Sequence, residues 1–253
     1  MLTILSPDFD ASGSWSKPAK GINNILSGNS FAPNPLDRKD EYAEFLASYV
    51  KIMKSVSGVD LYAIGINNEP AFSQSYQSCI WSPKQMAKGI YTIGKRFKND
   101  GLATKLVWSE DIGDILRYEQ YKNEVIEVDS IRPYGSITAV HAYNANGTKA
   151  ESSSANMWKS MYNLSNKKGN RPFWMTETSG YGIGWWNGGR RLNNAMYVAL
   201  KFGKISAWVW WSLSESKGYK QEYALIERTG NDNYILGKRY YISKQYYLSL
   251  IHI

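Results

Sequence analysis

The stretch Leu61-Tyr-Ala-Ile-Gly-Ile-Asn-Asn-Glu-Pro70 determines how the rest of the chain is interpreted. Its apolar first half predicts a buried strand, and this strand stops in the polar sequence Asn-Asn-Glu-Pro. Pro70 cannot donate a hydrogen bond to a sheet ladder, so it ends the strand directly after Glu69. In parallel α/β proteins, sites are built at the carboxyl ends of the strands. The stretch therefore predicts that Glu69 is presented at a site.

A second stretch, Pro172-Phe-Trp-Met-Thr-Glu-Thr-Ser-Gly180, has the same form. An apolar and aromatic run again delivers one acid, Glu177, before it breaks at Gly180. Hydrolysis of a glycosidic bond needs two carboxyl groups, because one protonates the leaving oxygen while the other attacks the sugar or activates water. The chain is also 14% aromatic, and aromatic faces are suited to stacking on sugar rings. Together these features indicate glycoside hydrolysis.

The two acid-bearing motifs, Asn68-Glu-Pro70 and Trp174-Met-Thr-Glu177, resemble those of the large clan of (β/α)8 retaining glycosidases that contains glycoside hydrolase families 5 and 30. Two further stretches, Tyr76-Gln-Ser-Cys-Ile-Trp-Ser82 and Gly237-Lys-Arg-Tyr-Tyr-Ile242, look most like family 30. The resemblance implies a TIM barrel and a retaining mechanism. It implies that the first acid is the general acid/base on strand four and the second is the nucleophile on strand seven.

The alternation of strands and helices along the chain predicts an α/β fold with a parallel sheet. A TIM barrel is the economical architecture when both acids lie at carboxyl ends of strands. Six strands are predicted, at residues 2–7, 61–70, 104–110, 137–143, 206–213 and in the stretch that ends at Glu177. Helices are predicted at residues 40–56, 82–99, 114–121, 155–163, 191–202 and 239–250. Residues 8–35, which contain Trp15, are predicted to form a long loop.

The resemblance also fixes how the predicted strands are counted. If Glu69 ends strand four and Glu177 ends strand seven, the two strands predicted between them are strands five and six. The first predicted strand is then strand three of a barrel. We therefore expect residues 1–253 to be a single glycosidase catalytic domain truncated at its amino terminus. Strands one and two and the accessory β-sandwich of the family are expected to be missing.

Four further residues are candidates for binding the substrate. The resemblance implies that Asn68 hydrogen-bonds the sugar 2-hydroxyl and that Tyr143 hydrogen-bonds the nucleophile and holds it ionised. Two-residue alternation puts Trp211 on one face of the last predicted strand and Trp208 and Trp210 on the other. The resemblance implies that Trp211 forms the floor of the cleaved-sugar subsite, with an ordinary core position as the alternative for all three. His141 faces the same way as Tyr143 by two-residue alternation, although a lone histidine on a strand is more often a core residue.

Other residues near the strand ends allow more than one interpretation. Glu110 and Asp111 also end a predicted strand and compete for a catalytic place. Their position in the strand count favours a supporting or subsite role. Three tryptophans, Trp81, Trp185 and Trp186, lie in or beside loops and either line outer subsites or cover helix ends.

Composition limits the partners that are expected. The formal charge is +8, but the lysines and arginines are scattered, which indicates a solvated basic surface and argues against nucleic-acid binding. One cysteine and two histidines provide neither a disulfide framework nor a metal cluster of usual spacing, so no cofactor or metal is expected. No apolar run of about 18 residues is present to span a membrane. We expect a monomer that is secreted in its full-length form.

The combined prediction is a retaining β-glycoside hydrolase that cleaves polysaccharide by double displacement. The family 30 resemblance favours an endo-β-xylanase or a β-glucanase, and a family 5-like endoglucanase is the alternative within the same class. Xylan-active family members carry an arginine-rich segment after strand eight, which Ser212-Leu-Ser-Glu-Ser-Lys217 replaces here, so glucuronate recognition is not expected. The alternative from another class is a carbohydrate-binding, non-catalytic truncated barrel.

Overall fold

The computed structural model describes residues 2–3, 39–71, 81–113, 115–143, 154–180, 185–217 and 224–249. The predicted loop 8–35 with Trp15 and most of the motif Tyr76–Ser82 lie outside the described residues. The helices are α1 Lys39–Ser57, α2 Pro83–Asn99, α3 Ile115–Val125, α4 Ser154–Ser165, α5 Arg191–Gly203 and α6 Lys238–Ser249, with a π-helical segment at Trp185–Arg190. All six predicted helices are therefore present, each with bounds close to those predicted.

Six strands form one sheet in chain order, β1-β2-β3-β4-β5-β6. They are β1 Leu2–Thr3, β2 Ala63–Gly65, β3 Lys105–Asp111, β4 Ile137–His141, β5 Phe173–Glu177 and β6 Ala207–Trp208. The β1/β2, β2/β3 and β5/β6 pairs are parallel. Consecutive parallel strands joined by helices confirm the predicted α/β fold. Strands β2, β4 and β6 are shorter than predicted, whereas β3 has the predicted length of seven residues, shifted by one position. In β2, the regular pairing stops at Gly65, before the polar residues Asn67-Asn-Glu69.

The chain divides into two compact units. The first consists of Met1–Ala139 and Leu164–Pro172, and the second of Val140–Asn163 and Phe173–Ile253. The first unit therefore contains β1, β2, β3 and the start of β4, whereas the second contains the end of β4 with β5 and β6. Each candidate site residue is positioned by the strands of its own unit.

Helix α2 begins as its sequence predicts. The Ser82 hydroxyl accepts a hydrogen bond from the Gln85 amide at 3.3 Å, and the Gln85 side chain accepts one from the Ser82 amide at 2.7 Å. Pro83 occupies the first helical position, where a missing N–H costs nothing. The capping box is therefore confirmed.

The core of the first unit is built from helices α1 and α2 packed against β2 and β3. On α2, Met86, Ile90, Ile93 and Phe97 recur at intervals of three and four residues and are all buried. This spacing places them on one helical face, which explains why the hydrophobic period predicted the helix. Residues of the core cluster include Tyr42, Leu46, Ile64, Ile66, Leu106, Trp108 and Tyr121.

Trp81 belongs to this core. Its side chain is 1% exposed and makes an edge contact with the ring of Tyr42. A Cβ atom added at Gly89 would lie 2.5 Å from the Trp81 ring, so the indole occupies space that only a glycine leaves open. The Trp81 side chain is therefore a core residue packed against the middle of α2, which is neither of the two positions expected for it.

A group of lysines surrounds Glu127 at the end of α3. Lys168, Lys122 and Lys167 place their ammonium groups 2.9, 3.3 and 3.5 Å from its carboxylate oxygens. The hydrogen bond from Lys168, together with Lys122 and Lys167, lowers the pKa of the Glu127 carboxyl from its ordinary 4.5 to about 2. The carboxylate thus neutralises part of a basic region, and its charge depends on pH only under acidic conditions.

In the second unit, residues 208–213 alternate between two environments. Trp208 and Trp210 are buried, whereas Val209, Trp211 and Leu213 are exposed. The Val209 amide donates to the Met175 carbonyl at 2.9 Å, so an extended backbone continues beyond the short β6. The predicted division of the tryptophans between two faces is therefore confirmed.

A second, smaller sheet was not predicted from the sequence. It consists of β7 Ser214–Ser216, β8 Ile226–Arg228 and β9 Tyr234–Leu236, with β7 and β8 parallel and β8 and β9 antiparallel. Each strand has three residues and carries polar or exposed side chains, so no two-residue apolar alternation marks it.

None of the described helices is long and apolar enough to cross a membrane.

Candidate active site

Glu69 lies four residues beyond the carboxyl end of β2 in the first unit. Its backbone adopts φ +44°, a left-handed conformation that is uncommon for a residue other than glycine. The side chain is largely buried, at 5% exposure, as is that of Asn68 at 7%. The Glu69 amide donates to the Glu110 carbonyl at 3.1 Å. The acid that the sequence singled out is therefore held at the carboxyl end of two adjacent strands.

Hydrogen bonds link Pro70 to Trp81 and Trp81 to Tyr121. The Trp81 amide donates to the Pro70 carbonyl at 2.9 Å, and the Tyr121 hydroxyl donates to the Trp81 carbonyl at 3.1 Å. Burial raises the pKa of the Tyr121 phenol, so this hydroxyl keeps its proton and remains a donor. The packed indole of Trp81 thus connects the core to the segment that carries Glu69.

Glu177 ends β5 in the second unit, beside the end of β4. The Tyr143 hydroxyl donates to the Glu177 carboxylate at 2.9 Å. The same oxygen lies 3.9 Å from Nδ1 of His141, which is buried at 1% exposure. The His141 and Tyr143 rings meet edge to face with centroids 6.3 Å apart. The structure therefore brings together three of the residues that the sequence proposed.

Ladder bonds on both sides hold the end of β5 in place. The Ala142 amide donates to the Glu177 carbonyl at 2.8 Å, and the Trp211 amide donates to the Thr178 carbonyl at 2.8 Å. The Trp211 side chain is 53% exposed, which gives the indole a free face. Glu177 itself keeps 22% of its side chain accessible. A carboxylate held by a donor and still open to solvent can attack an electrophilic carbon.

Arg239 lies in the segment Gly237–Ile242, and no role for it was predicted. This arginine is 1% exposed, and its guanidinium lies 5.3 Å from the centroid of the Trp210 ring. It donates hydrogen bonds to the carbonyl of Gly180, three residues after Glu177, and to that of Ala224 at 3.1 Å. Arg239 therefore ties the segment that follows Glu177 to the residues just before β8. An arginine at the start of a tyrosine-rich helix was the available signal.

The remaining candidates have different surroundings. Glu110 and Asp111 are buried, at 0% and 1% exposure, where they end β3. Trp186 is 67% exposed and lies beneath the guanidinium of Arg190, 5.3 Å from the ring centroid. The roles of these residues, and of Asn68, Tyr143, His141 and Trp211 toward a sugar, stay predictions.

The chain is 23% identical over 223 residues to the glucuronoxylanase XynC of Bacillus subtilis. It matches the catalytic domain of family 30 xylanase C from Talaromyces cellulolyticus with a TM-score of 0.66 at 18% identity. The chain resembles glycoside hydrolase family 30 in sequence and in fold. This confirms the resemblance expected from the motifs. No protein-family model matches the chain.

Two further solved structures show the same fold. The family 30 subfamily 8 xylanase Xyn30A from Clostridium acetobutylicum has a TM-score of 0.64 at 22% identity, with 84% of this chain and 48% of that protein covered. An endo-β-1,6-glucanase has a TM-score of 0.64 at 23% identity, with coverage of 83% and 47%.

The similarity covers most of this chain but only about half of each family 30 relative. The similarity to XynC covers 85% of this chain and 48% of that protein, and the similarity to xylanase C covers 87% and 49%. The chain therefore spans about half the length of the relatives that it matches.

Proposed function

We propose that the chain carries the catalytic residues of a retaining β-glycoside hydrolase that acts on polysaccharide. The observation that carries this proposal is the hydrogen bond from the Tyr143 hydroxyl to the Glu177 carboxylate, 2.9 Å long, at the end of a parallel strand. A donor to the carboxylate favours its ionised form, which is the form that acts as a nucleophile. The similarity to family 30 xylanases and to an endo-β-1,6-glucanase supports the same reaction class.

The proposed reaction has two displacement steps. In the first, a Glu177 oxygen bonds to the anomeric carbon, the bond from that carbon to the leaving oxygen breaks, and Glu69 gives its proton to the leaving oxygen. In the second, Glu69 takes a proton from water while the water oxygen attacks the anomeric carbon and releases Glu177. Two inversions give net retention. Neither step requires a metal or an organic cofactor.

The remaining candidates are assigned to the sugar. Asn68 is proposed to hydrogen-bond the 2-hydroxyl, and the exposed Trp211 ring is proposed to stack on the sugar in the cleaved subsite. His141 and Tyr143 are proposed to orient Glu177. Because the groups assigned to the sugar, an amide and an indole face, are uncharged, they favour a neutral sugar.

The substrate class follows from these assignments. Ser212–Lys217 contains no arginine, so we propose a xylan or β-glucan main chain instead of a glucuronate side group as the feature that is recognised. Such polymers are met outside cells, which supports an extracellular location for the protein.

Variants of the two acids test the proposal. Glu177→Gln should abolish turnover of aryl β-glycosides, whereas Glu69→Ala should spare the first step for substrates with good leaving groups and recover the second step when azide replaces water. Glu119→Gln, on the exposed face of α3, is a matched control that should keep wild-type activity. Full activity in Glu177→Gln would end the proposal. Sugar binding without release of phenol would support a carbohydrate-binding role instead.

Stereochemistry provides an independent test. Proton NMR of the first product formed from a β-glycoside should show the β anomer before it mutarotates. An α anomer as the first product would show inversion and would remove Glu177 from the role of nucleophile.

A further inference from the structure

The carboxyl ends of β2 and β3 contain an unusual concentration of left-handed backbone. Glu69, Ser109 and Glu110 have φ values of +44°, +74° and +41°. Within the described residues, Lys204 is the remaining non-glycine residue with positive φ, and it follows the end of α5. Non-glycine residues in this conformation cluster at functional sites, where the surrounding structure holds them. The proposed acid/base therefore lies in the most constrained backbone of the first unit.

The ladder between these strands shows how the conformation arises. In a parallel pair, the hydrogen bonds are evenly spaced and the donors of one strand recur every second residue. Here the Ile66 amide donates to the Val107 carbonyl at 3.3 Å, and the Glu69 amide donates to the Glu110 carbonyl at 3.1 Å. Each strand advances three residues between these bonds. Both strands therefore carry one extra residue at the same level, as a paired bulge.

An extra residue changes the face on which later side chains project, because successive side chains of a strand alternate between its two faces. A β-bulge, with an extra residue on one strand, redirects side chains next to active sites. An extra residue on both strands leaves their pairing offset unchanged and reverses the faces of the later side chains on both. The paired bulge lies between the last regular ladder position, Gly65 opposite Val107, and Glu69. It thus sets the direction of the Glu69 carboxyl.

Ser109 contributes to this arrangement through its backbone. It is fully buried, and its hydroxyl has no hydrogen-bond partner within the part of the chain that the structure describes. A small side chain tolerates φ +74°, whereas a β-branched side chain in this region is a genuine outlier. Position 109 therefore requires a left-handed backbone conformation, and serine is small enough to adopt it.

We propose that Ser109 and Glu110 are positioning residues for Glu69. The left-handed pair supplies the extra residue on β3, and the Glu110 carbonyl anchors the Glu69 amide in the bulged register. This inference rests on the proposed role of Glu69 as general acid/base. It deepens that role by naming the backbone that aims the carboxyl.

The chemistry of the leaving group separates positioning from general structural support. A phenyl leaving group needs the proton from Glu69, whereas a 2,4-dinitrophenyl group departs without it. Misplacing Glu69 should therefore lower kcat/KM on phenyl β-glycosides and leave kcat/KM on the dinitrophenyl β-glycoside of the same sugar nearly unchanged. Loss of folded protein would lower both equally.

The test is Ser109→Val, which puts a β-branched residue at φ +74°. We expect kcat/KM on the phenyl substrate to fall by about 10²-fold, the lower end of what general acid catalysis contributes. Azide should raise kcat on the dinitrophenyl substrate. The matched control is Ser243→Val, because Ser243 is also buried and its hydroxyl has no partner among the described residues. In the control, the ratio of kcat/KM on the dinitrophenyl substrate to kcat/KM on the phenyl substrate should stay at its wild-type value.

Equal losses on the two substrates, or a ratio unchanged in Ser109→Val, would overturn the inference. Glu69→Ala separates this failure from failure of the proposed function, because that variant must itself show the leaving-group dependence and the azide response. If Ser109→Val does not fold, Ser109→Ala is compared with Ser109→Gly, since glycine adopts this φ freely. A larger ratio of dinitrophenyl to phenyl kcat/KM in the alanine variant than in the glycine variant supports positioning, and identical ratios in the two variants refute it.

Discussion

Replacing Gly89 with alanine should destabilise the core, although helix propensity alone predicts the opposite. Gly89 lies inside α2, where alanine is favoured over glycine by about 1 kcal/mol. The new Cβ, however, would lie 2.5 Å from Cζ3 and 2.9 Å from Cη2 of Trp81. Carbon atoms in contact are normally about 3.5–4.0 Å apart, so the indole must move by about 1 Å. Since Trp81 is 1% exposed, it has little space to do so.

The magnitude follows from these two opposing effects. Overpacking a buried site costs about 1–3 kcal/mol, and subtracting the propensity gain of about 1 kcal/mol leaves a net loss of about 0–2 kcal/mol. A double-mutant cycle with Trp81→Leu isolates the steric part, because the shorter side chain removes the ring that the methyl group meets. Gly89→Ala should stabilise the Trp81→Leu protein by about 1 kcal/mol, as propensity alone predicts.

Equilibrium unfolding in urea, followed by far-UV circular dichroism, measures the four free energies of unfolding. We expect a coupling energy of about 1–3 kcal/mol between positions 81 and 89. Additivity within about 0.5 kcal/mol would refute the claim that Gly89 is present to accommodate the ring. Because the Trp81 amide holds the Pro70 carbonyl, Gly89→Ala should also lower activity on glycosides that need Glu69.

Three further outcomes are expected. Tyr143→Phe removes a hydrogen bond to the charged Glu177, and bonds of this kind are worth about 1.5–3 kcal/mol. If the bond orients the nucleophile, kcat/KM should fall by about 10- to 100-fold, and wild-type kinetics would show that the bond does not contribute to catalysis. In Arg239→Lys, the lysine cannot replace a planar guanidinium that donates to two carbonyls and lies over an indole. The free energy of unfolding measured in urea should fall by about 1.5–3 kcal/mol, and an unchanged urea midpoint would contradict this. The pKa of Glu127 in the folded protein, about 2, lies below its ordinary 4.5, so the stability it contributes is present above about pH 4.5 and is lost as the pH falls toward 2. Glu127→Gln should therefore have a lower melting temperature than wild type at pH 7, and this difference should shrink in acid. A difference in melting temperature that does not change with pH would refute the linkage.

Local patterns made much of the fold predictable. The helices were identifiable because buried positions such as those from Met86 to Phe97 recur at the helical period, and because the box formed by Ser82 and Gln85 marks a helix start. The small sheet was not predictable, since its three-residue strands carry polar side chains and are stabilised by pairing with one another. Its last two strands are also joined by a turn, in which the Thr229 amide donates to the Asn233 carbonyl at 2.8 Å.

The same division applies to the candidate site. By itself, the sequence determined which chemical groups stand at strand ends, because an apolar run that stops in Asn-Glu-Pro or Thr-Glu-Thr fixes where a carboxyl appears along the chain. It also determined that Trp211 and Trp210 lie on opposite faces, because side chains alternate in extended backbone.

The tertiary structure alone decided which of these groups meet. The 2.9 Å bond between Tyr143 and Glu177 joins residues that are 34 positions apart, and the guanidinium of Arg239 reaches a carbonyl 59 positions away. The left-handed conformations at Ser109 and Glu110 likewise have no local signal, because they follow from the ladder between two strands. Sequence patterns report the preferences of neighbouring residues along the chain, whereas distances between separate strands are set by packing the whole core.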